Sequence, residues 1–198
     1  MVKKLRFFPA LAIIATLILS LPAYAAKKKT ASLIPHGDGT VTLYRPDKNE
    51  RGTFTYRDKK GSLDARGLEK VAHFFRCRLT DEVHPIDPDL VATLDMISDR
   101  FGGKEVEIIS GYRSPTRNAL MRRQGRRVAK DSLHMRGSAA DIVIKGVSPA
   151  EIRNFAYSLK RGGVGYYGGR SFVHVDSGPL RTWGWRPPTD RRTAAAVK

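Results

Sequence analysis

The amino-terminal apolar segment limits which part of this chain can form a folded core. Three basic residues precede an apolar run over residues 7–21, and the small-residue pattern Ala23-Tyr24-Ala25 follows it. This layout is typical of a secretory signal peptide, and the run is shorter than the roughly 20 apolar residues of a membrane-spanning helix. We therefore expect residues 1–25 to be a signal peptide cleaved near Ala25, with export to the periplasm and no stable membrane span afterwards. An uncleaved anchor is the alternative.

The remaining residues, 26–198, are enough for one domain with a hydrophobic core. Cys77 is the only cysteine, so an internal disulfide is excluded and packing, with a metal ion as a further candidate, must stabilise the fold. We divide this part into a flexible leader over residues 26–39, a folded domain over residues 40–184 and a basic disordered tail over residues 185–198. We expect a monomer.

The formal net charge of the chain is +17, which favours polyanionic partners. Nucleic acid is the usual partner of such a charge, but an exported protein meets anionic cell-wall polymers and lipid headgroups instead. We therefore predict no nucleic-acid partner. A basic nucleic-acid-binding protein remains the alternative that the charge alone supports.

The spacing of apolar residues predicts a mixture of strands and helices. Two alternating segments, residues 40–44 and 53–56, predict an amino-terminal hairpin, which is part of the folded domain. Further strands are expected at residues 106–109, 140–144, 164–167 and 172–176, and helices over residues 68–75, 90–101, 115–125 and 149–160. Trp183 is expected in the core and Trp185 at its edge, with stacking of these rings on sugars as the alternative. The sum predicts an α+β domain with a small, mainly antiparallel sheet and helices packed on one side.

Three residues in the second half of the chain could form a metal site. His134 is expected on a loop, Asp141 at the start of a strand, and His174 on a strand face that it shares with Asp176. Two neutral imidazoles and one carboxylate fill three corners of a zinc tetrahedron and leave the fourth for a water whose pKa falls to about 7. Each residue taken alone is better explained by solvation or ordinary hydrogen bonding than by a metal.

Three motifs occur in order along the chain. They are Ser110-Gly111-Tyr112-Arg113-Ser114, then Ser132-Leu133-His134 with Gly137 and Ala140-Asp141-Ile142, and finally Phe172-Val173-His174-Val175-Asp176. Together they resemble the motifs of YcbK-like murein endopeptidases, which belong to the zinc D-Ala-D-Ala peptidase group and are related in fold to the Sonic hedgehog domain. The resemblance covers about residues 58–183. It implies that His134, Asp141 and His174 bind one Zn²⁺ per chain and that the substrate is the stem peptide of peptidoglycan.

The resemblance also implies roles for residues beside the metal ligands. Arg113 corresponds to an arginine that holds the substrate, and a guanidinium at a strand end can bind a carboxylate or polarise a carbonyl through two parallel donors. A structural ion pair is the alternative for Arg113. Tyr112 and Ser132 are assigned to substrate binding, with simple packing of Tyr112 and bracing of the His134 loop by Ser132 as alternatives.

The general base is the least determined role. Many relatives place a glutamate three residues before the last histidine, where this chain has Ser171, which cannot act as a carboxylate base. Asp176 is the replacement we assign, because it lies two residues from His174 on the same strand face. The alternative is that Asp176 only orients His174.

These features together predict an exported zinc metallopeptidase, a murein DD- or LD-endopeptidase that hydrolyses peptide cross-links through a zinc-activated water. Two alternatives are kept open. One is a D-Ala-D-Ala carboxypeptidase, and the other is a catalytically silent zinc-containing module that binds peptidoglycan, which the missing glutamate at Ser171 favours.

Overall fold

The computed structural model describes residues 37–167, 169 and 171–187. The strands are β1 (Thr40–Arg45), β2 (Glu50–Thr55), β3 (Val106–Ser110), β4 (Ala139–Val143), β5 (Gly163–Tyr166), β6 (Val173–Asp176) and β7 (Arg181–Trp183). The helices are α1 (Ala65–Phe74), α2 (Pro88–Arg100), α3 (Pro115–Arg123) and α4 (Pro149–Ser158), with a short 3-10 turn over Leu133–Arg136. The predicted signal peptide lies outside the described residues, as do most of the predicted leader and tail.

The seven strands form one sheet in the order β2-β1-β3-β4-β6-β5-β7. Only the β1–β3 and β5–β7 pairs are parallel, and the other four pairs are antiparallel. The predicted α+β class with a mainly antiparallel sheet is therefore confirmed. Among the described residues, no helix combines the length and apolar character that crossing a bilayer requires.

The predicted hairpin forms from β1 and β2. Alternate residues of β1 are buried, among them Val41 and Leu43, while β2 alternates between half-buried and exposed positions. The hydroxyls of Thr42 and Thr53, which face each other across the pair, lie 3.0 Å apart. The turn includes Asn49 at φ 51°, a left-handed conformation that asparagine tolerates better than most residues.

The hydrophobic core lies between the sheet and three helices. Side chains of α1, α2 and α4 and of β1, β3, β4, β5 and β6 form a single buried cluster, as predicted for helices packed on one side. Sequence signals start two of these helices: Pro88 follows the N-cap Asp87 of α2, and Ser148 and Glu151 form the predicted capping box of α4. The third, α1, begins at Ala65, three residues before its predicted start.

One carboxylate is buried on this helix-covered side. Asp95 of α2 accepts hydrogen bonds at Oδ2 from the hydroxyl of Tyr56 (2.7 Å) and from the backbone N–H of Gly39 (2.9 Å). Burial, opposed by these hydrogen bonds and reinforced by the nearby charges of Asp99 and Asp38, raises the pKa of Asp95 to about 6. The last residues of the predicted leader are therefore hydrogen-bonded to α2.

The strands β4 and β6 divide their side chains between the two faces of the sheet. Ile142, Val173 and Val175 belong to the hydrophobic cluster under the helices. Asp141 and His174, which alternate with them along the strands, face the opposite side. This second face carries a polar cluster that includes Asp141 and His174.

Candidate active site

A short turn between α3 and β4 carries His134. The 3-10 turn ends at Gly137, whose φ of +64° lies in the left-handed region, and a Cβ there would collide with the carbonyl oxygen of Pro85. The backbone N–H of Arg113, which follows β3, donates to the carbonyl of His134 at 3.1 Å. The turn is thus fixed to the end of β3, and the side chain of His134 is buried there.

The pairing of β4 with β6 brings the other two predicted ligands together. Asp141 and His174 are directly opposite in the antiparallel register, so their side chains extend from the same face of the sheet. His174 Nδ1 lies 2.9 Å from Asp141 Oδ1. The contact therefore follows from strand register, which joins residues 33 positions apart in the chain.

The three side chains form a triangle of ligand atoms. His134 Nε2 lies 3.2 Å from His174 Nδ1 and 3.5 Å from Asp141 Oδ1, and the third side is the 2.9 Å contact above. An ion bound tetrahedrally at about 2.0–2.1 Å holds its ligand atoms about 3.3–3.4 Å apart. The residues present therefore fit a single zinc-sized ion, and the loop carrying His134 folds back as the metal-site hypothesis requires.

Hydrogen bonds on the far side of each imidazole fix which nitrogen faces the triangle. His134 Nδ1 lies 2.8 Å from the carbonyl oxygen of Gly111, and a carbonyl only accepts, so Nδ1 carries the proton and Nε2 offers its lone pair. His174 Nε2 lies 3.1 Å from Asp176 Oδ2 in the same way, which leaves Nδ1 as the ligand atom. This outer hydrogen bonding is typical of histidines that bind metal.

The side chain of Asp176 is held behind His174 by several hydrogen bonds. Its side chain is buried, and its oxygens accept from the backbone N–H groups of Gly163 (3.0 Å) and Gly178 (2.9 Å) and from the guanidinium of Arg181 (2.7 Å). It contacts His174 at the nitrogen opposite the ligand atom. Of the two roles considered for Asp176, the geometry favours orienting His174 over acting as a base at the triangle.

The triangle keeps an ionised carboxylate that can bind a cation, whereas His174 has to lose a proton when a metal ion binds. Burial lowers the pKa of His134, although Asp141 opposes it, so this imidazole is neutral. Burial raises the pKa of Asp141, but the charges and hydrogen bonds of the two histidines outweigh it and hold the pKa below its usual range. Burial lowers the pKa of His174, yet the hydrogen bonds to Asp141 and Asp176 together raise it. The cluster attracts positive charge to His174.

Arg113 lies beside the triangle. Its Nη2 lies 3.7 Å from Asp141 Oδ2 and donates to the hydroxyl of Ser110 at 3.3 Å, while Nη1 donates to the side chain of Asn118 at 3.4 Å. The guanidinium is 5% exposed, and burial lowers its pKa. Arg113 therefore makes the ion pair considered for it and also borders the cavity.

The other two predicted substrate-binding residues, Ser132 and Tyr112, lie in different places. Ser132 is buried and lines the cavity beside His134. Tyr112 is directed elsewhere: its hydroxyl donates to Glu82 at 2.8 Å and its ring stacks on His84 at 4.8 Å. It borders a different, small cavity from the one that Arg113 lines. The packing alternative describes Tyr112 better.

A cavity of about 770 Å³ opens over the triangle. One wall is the segment after α3, with the exposed Arg126 and Arg127, and Asp131 contributes a carboxylate. An aromatic wall comes from Tyr167 and Phe172, which lie in the β5–β6 connection, and from Trp183 of β7.

The sequence pattern did not identify Tyr167 as part of the aromatic wall. Trp183 was expected in the core, but it is half-buried, and its ring lies against His174 with centroids 4.9 Å apart. Trp185, expected at the edge of the core, packs against Tyr157 at 5.5 Å. Tyr167 ends the segment Gly162-Gly163-Val164-Gly165-Tyr166-Tyr167 just before the strand of His174. That position, next to a candidate ligand strand, is the signal that could have identified it.

Two imidazoles and one carboxylate around an open corner, beside a large cavity, are the ligand set of mononuclear metal-dependent hydrolases. Comparison with known proteins agrees with this class. A family model described as peptidoglycan L,D-endopeptidase MepK matches residues 37–183. The chain therefore belongs to this family of murein endopeptidases.

Named relatives extend the match over most of the chain. The probable peptidoglycan L,D-endopeptidase MepK of Haemophilus influenzae is 45% identical over 145 residues, which cover 72% of this chain and 77% of the relative. The peptidoglycan L,D-endopeptidase MepK of Escherichia coli strain K12 is 37% identical over 167 residues, which cover 84% of this chain and 88% of the relative.

Proposed function

We propose that this protein is an exported zinc metallopeptidase that hydrolyses peptide cross-links of peptidoglycan as a monomer. The observation that carries the proposal is the triangle of His134, Asp141 and His174, whose ligand atoms are 2.9–3.5 Å apart. Family membership supports the peptidase class. The names of the relatives favour an L,D bond over a D,D bond.

The three ligands and their hydrogen-bond partners suit zinc. When bound, the ion would lower the pKa of a coordinated water to about 7 and polarise the scissile carbonyl. Asp176 and the carbonyl of Gly111 hold the two imidazoles in the required tautomers. In this proposal Asp176 is a positioning residue, which revises its assignment as the base.

The cavity walls suit an anionic peptide. Arg113 borders the triangle and can bind a carboxylate or carbonyl of the stem peptide. Arg126 and Arg127 are exposed on the wall, and neither forms an ion pair within the part of the chain that the structure describes. Stem peptides carry free carboxylates, so these cations would attract and orient them.

A catalytically silent peptidoglycan-binding module is the second candidate. It is favoured by Ser171, which occupies the position where many relatives carry a glutamate. Both candidates require the same metal triangle, so metal binding alone does not separate them. Hydrolysis does.

Digestion of purified sacculi tests the enzyme. Residues 26–198 with zinc are expected to release muropeptides that chromatography and mass spectrometry assign to cleaved cross-links, and a chelator is expected to stop the release. His134→Ala should be inactive, whereas His73→Ala, which changes an exposed histidine of α1, should match the wild type. Zinc binding without any released product would support the silent module instead.

Export is tested separately. Residues 1–40 fused to a phosphatase that is active only outside the cytoplasm should give activity, because the basic start and apolar run act as a signal peptide. An inactive but stable fusion would contradict export.

A further inference from the structure

Trp183 is placed over the metal triangle by a strand pairing. It pairs with Gly165 in the parallel β5–β7 register. Because Gly165 has no side chain, the indole can lie directly across β5, and a Cβ at Gly165 would collide with the indole ring. The same indole contacts the ring of His174, with centroids 4.9 Å apart. The position of Trp183 is therefore determined by backbone as well as by the proposed metal ligand.

The indole N–H determines the direction of the Tyr167 hydroxyl. Trp183 Nε1 lies 2.8 Å from Tyr167 Oη. An indole N–H can only donate, so the tyrosine oxygen accepts and its own hydrogen is available for another acceptor. Among the described residues, no acceptor for that hydrogen is found, and Tyr167 is 38% exposed in the cavity wall.

Peptide hydrolysis creates a need for such a donor. Negative charge develops on the oxygen of the scissile carbonyl when water attacks, and a fixed hydrogen-bond donor stabilises it more than mobile water does. Arg113 is buried and already contacts Asp141, Ser110 and Asn118. The Tyr167 hydroxyl has a free hydrogen to donate, and Tyr167 lines the cavity that contains the triangle.

We propose that Tyr167 donates a hydrogen bond to the scissile carbonyl oxygen as charge develops there, and that Trp183 is the residue that positions it. This inference rests on the proposed peptidase function. As the water oxygen bonds to the carbonyl carbon, the C=O electron pair moves to the carbonyl oxygen. When that pair returns, the C–N bond breaks and a proton from the attacking water passes to the leaving amine. Tyr167 keeps its proton throughout. Its contribution is therefore electrostatic and is made mainly in the transition state.

Kinetics on an isolated cross-linked muropeptide dimer test the two roles. Tyr167→Phe keeps the ring, including its contact with Phe172, and should lower kcat by about 10²–10³-fold with little change in KM. Trp183→Phe removes the donated N–H but keeps an aromatic ring beside His174, and its loss of kcat should be smaller. Tyr166→Phe is the matched control, because Tyr166 is absent from the cavity lining and contacts Arg153 instead.

Two measurements that do not depend on turnover accompany the kinetics. The Trp183 indole N–H resonance of the metal-free protein should shift in Tyr167→Phe and stay unchanged in Tyr166→Phe, since only the first loses the 2.8 Å acceptor. Zinc affinity, measured by competition with a chromophoric chelator, should be the same in Tyr167→Phe and the wild type.

The outcomes separate this inference from the peptidase function. An active wild type whose kcat is retained in Tyr167→Phe would overturn the role of Tyr167 and leave the function intact. A rise in KM alone would assign Tyr167 to ground-state substrate binding, and weakened zinc binding would assign it to packing around the site; either result would also overturn the proposed role. A wild type that releases no product would overturn both.

Discussion

The two faces of the central sheet bury aspartates in opposite ways. On the helix-covered face, Asp95 meets one hydroxyl and one backbone N–H, and its pKa is raised to about 6. On the cavity face, Asp141 lies among two imidazoles and the Arg113 guanidinium, and its pKa is held below its usual range. Burial disfavours the charged form in both places, so the neighbours decide whether a buried carboxylate stays ionised.

This difference indicates which face of the sheet can carry a metal-binding carboxylate. The helix-covered face tolerates a carboxylate that can be neutral, because its task is to accept two hydrogen bonds. The cavity face needs an ionised carboxylate, since only that form binds a metal ion well. Five predictions test the contrast between the two faces.

Substitution of Asp141 should have the largest effect on activity. Asp141→Asn removes a charged corner of the triangle, so hydrolysis of sacculi should fall by more than the roughly 10–100-fold that outer hydrogen-bond partners typically cost. Circular dichroism should show a folded protein. Competition with a chromophoric chelator should show weakened zinc binding. Retention of near-normal activity would contradict the assigned ligand set.

The adjacent residue on β4 should behave in the opposite way. Ile142 lies in the core cluster, so Ile142→Ala should lower the free energy of unfolding by about 2–5 kcal/mol, and Ile142→Val by about 0.5–1.5 kcal/mol. Activity per folded molecule should remain, as measured below the unfolding transition. A specific loss of turnover in the valine variant would show that the two faces are coupled.

The buried carboxylate under the helices should make stability depend on pH. The native pKa of about 6 exceeds the ordinary aspartate value of 3.8, so the native state binds more protons between these values and stability falls as pH rises from about 4 to 6. Asp95→Asn mimics the protonated acid. Its unfolding free energy relative to the wild type should rise by roughly 2–3 kcal/mol between pH 4 and pH 8, measured in urea. An unchanged difference would contradict the raised pKa.

The carboxylate behind His174 should tune metal binding. Asp176→Asn keeps the shape but weakens the hydrogen bond to His174 Nε2, so zinc affinity should fall by about 10–100-fold. Excess zinc should restore much of the turnover if Asp176 only positions the histidine. Loss of turnover at full zinc occupancy would instead restore the assignment of Asp176 as the base.

The arginines of the cavity wall should have the smallest effect. Arg126→Ala and Arg127→Ala should each raise KM about two- to fivefold for a muropeptide with free carboxylates, in line with the modest energy of exposed ion pairs. The change should shrink with added salt or with an amidated substrate. Arg122→Ala, which alters an exposed arginine of α3 outside the cavity lining, is the control.

Local physics explains which parts of the fold could be predicted. The hairpin, the capping box at Ser148 and the alternation that pairs His174 with Asp176 depend on residues a few positions apart. The positions of strand ends and helix starts differ from the structure by only a few residues, as with α1. The positions of Tyr112 and Trp183 relative to the cavity depend on distant segments, so local patterns could not decide between their alternatives.

The sequence by itself determined the helices, the strands other than β7, and the residue types that can bind a metal, because backbone periodicity and donor chemistry are local properties. Only the tertiary structure decided that His134 Nε2, Asp141 Oδ1 and His174 Nδ1 converge, that Asp176 lies behind an imidazole, and that Tyr167 and Trp183 form a cavity wall. Those relations are set by strand register and by loops that bring together residues far apart in the chain. Which side chains line a shared cavity is decided only when those segments pack together.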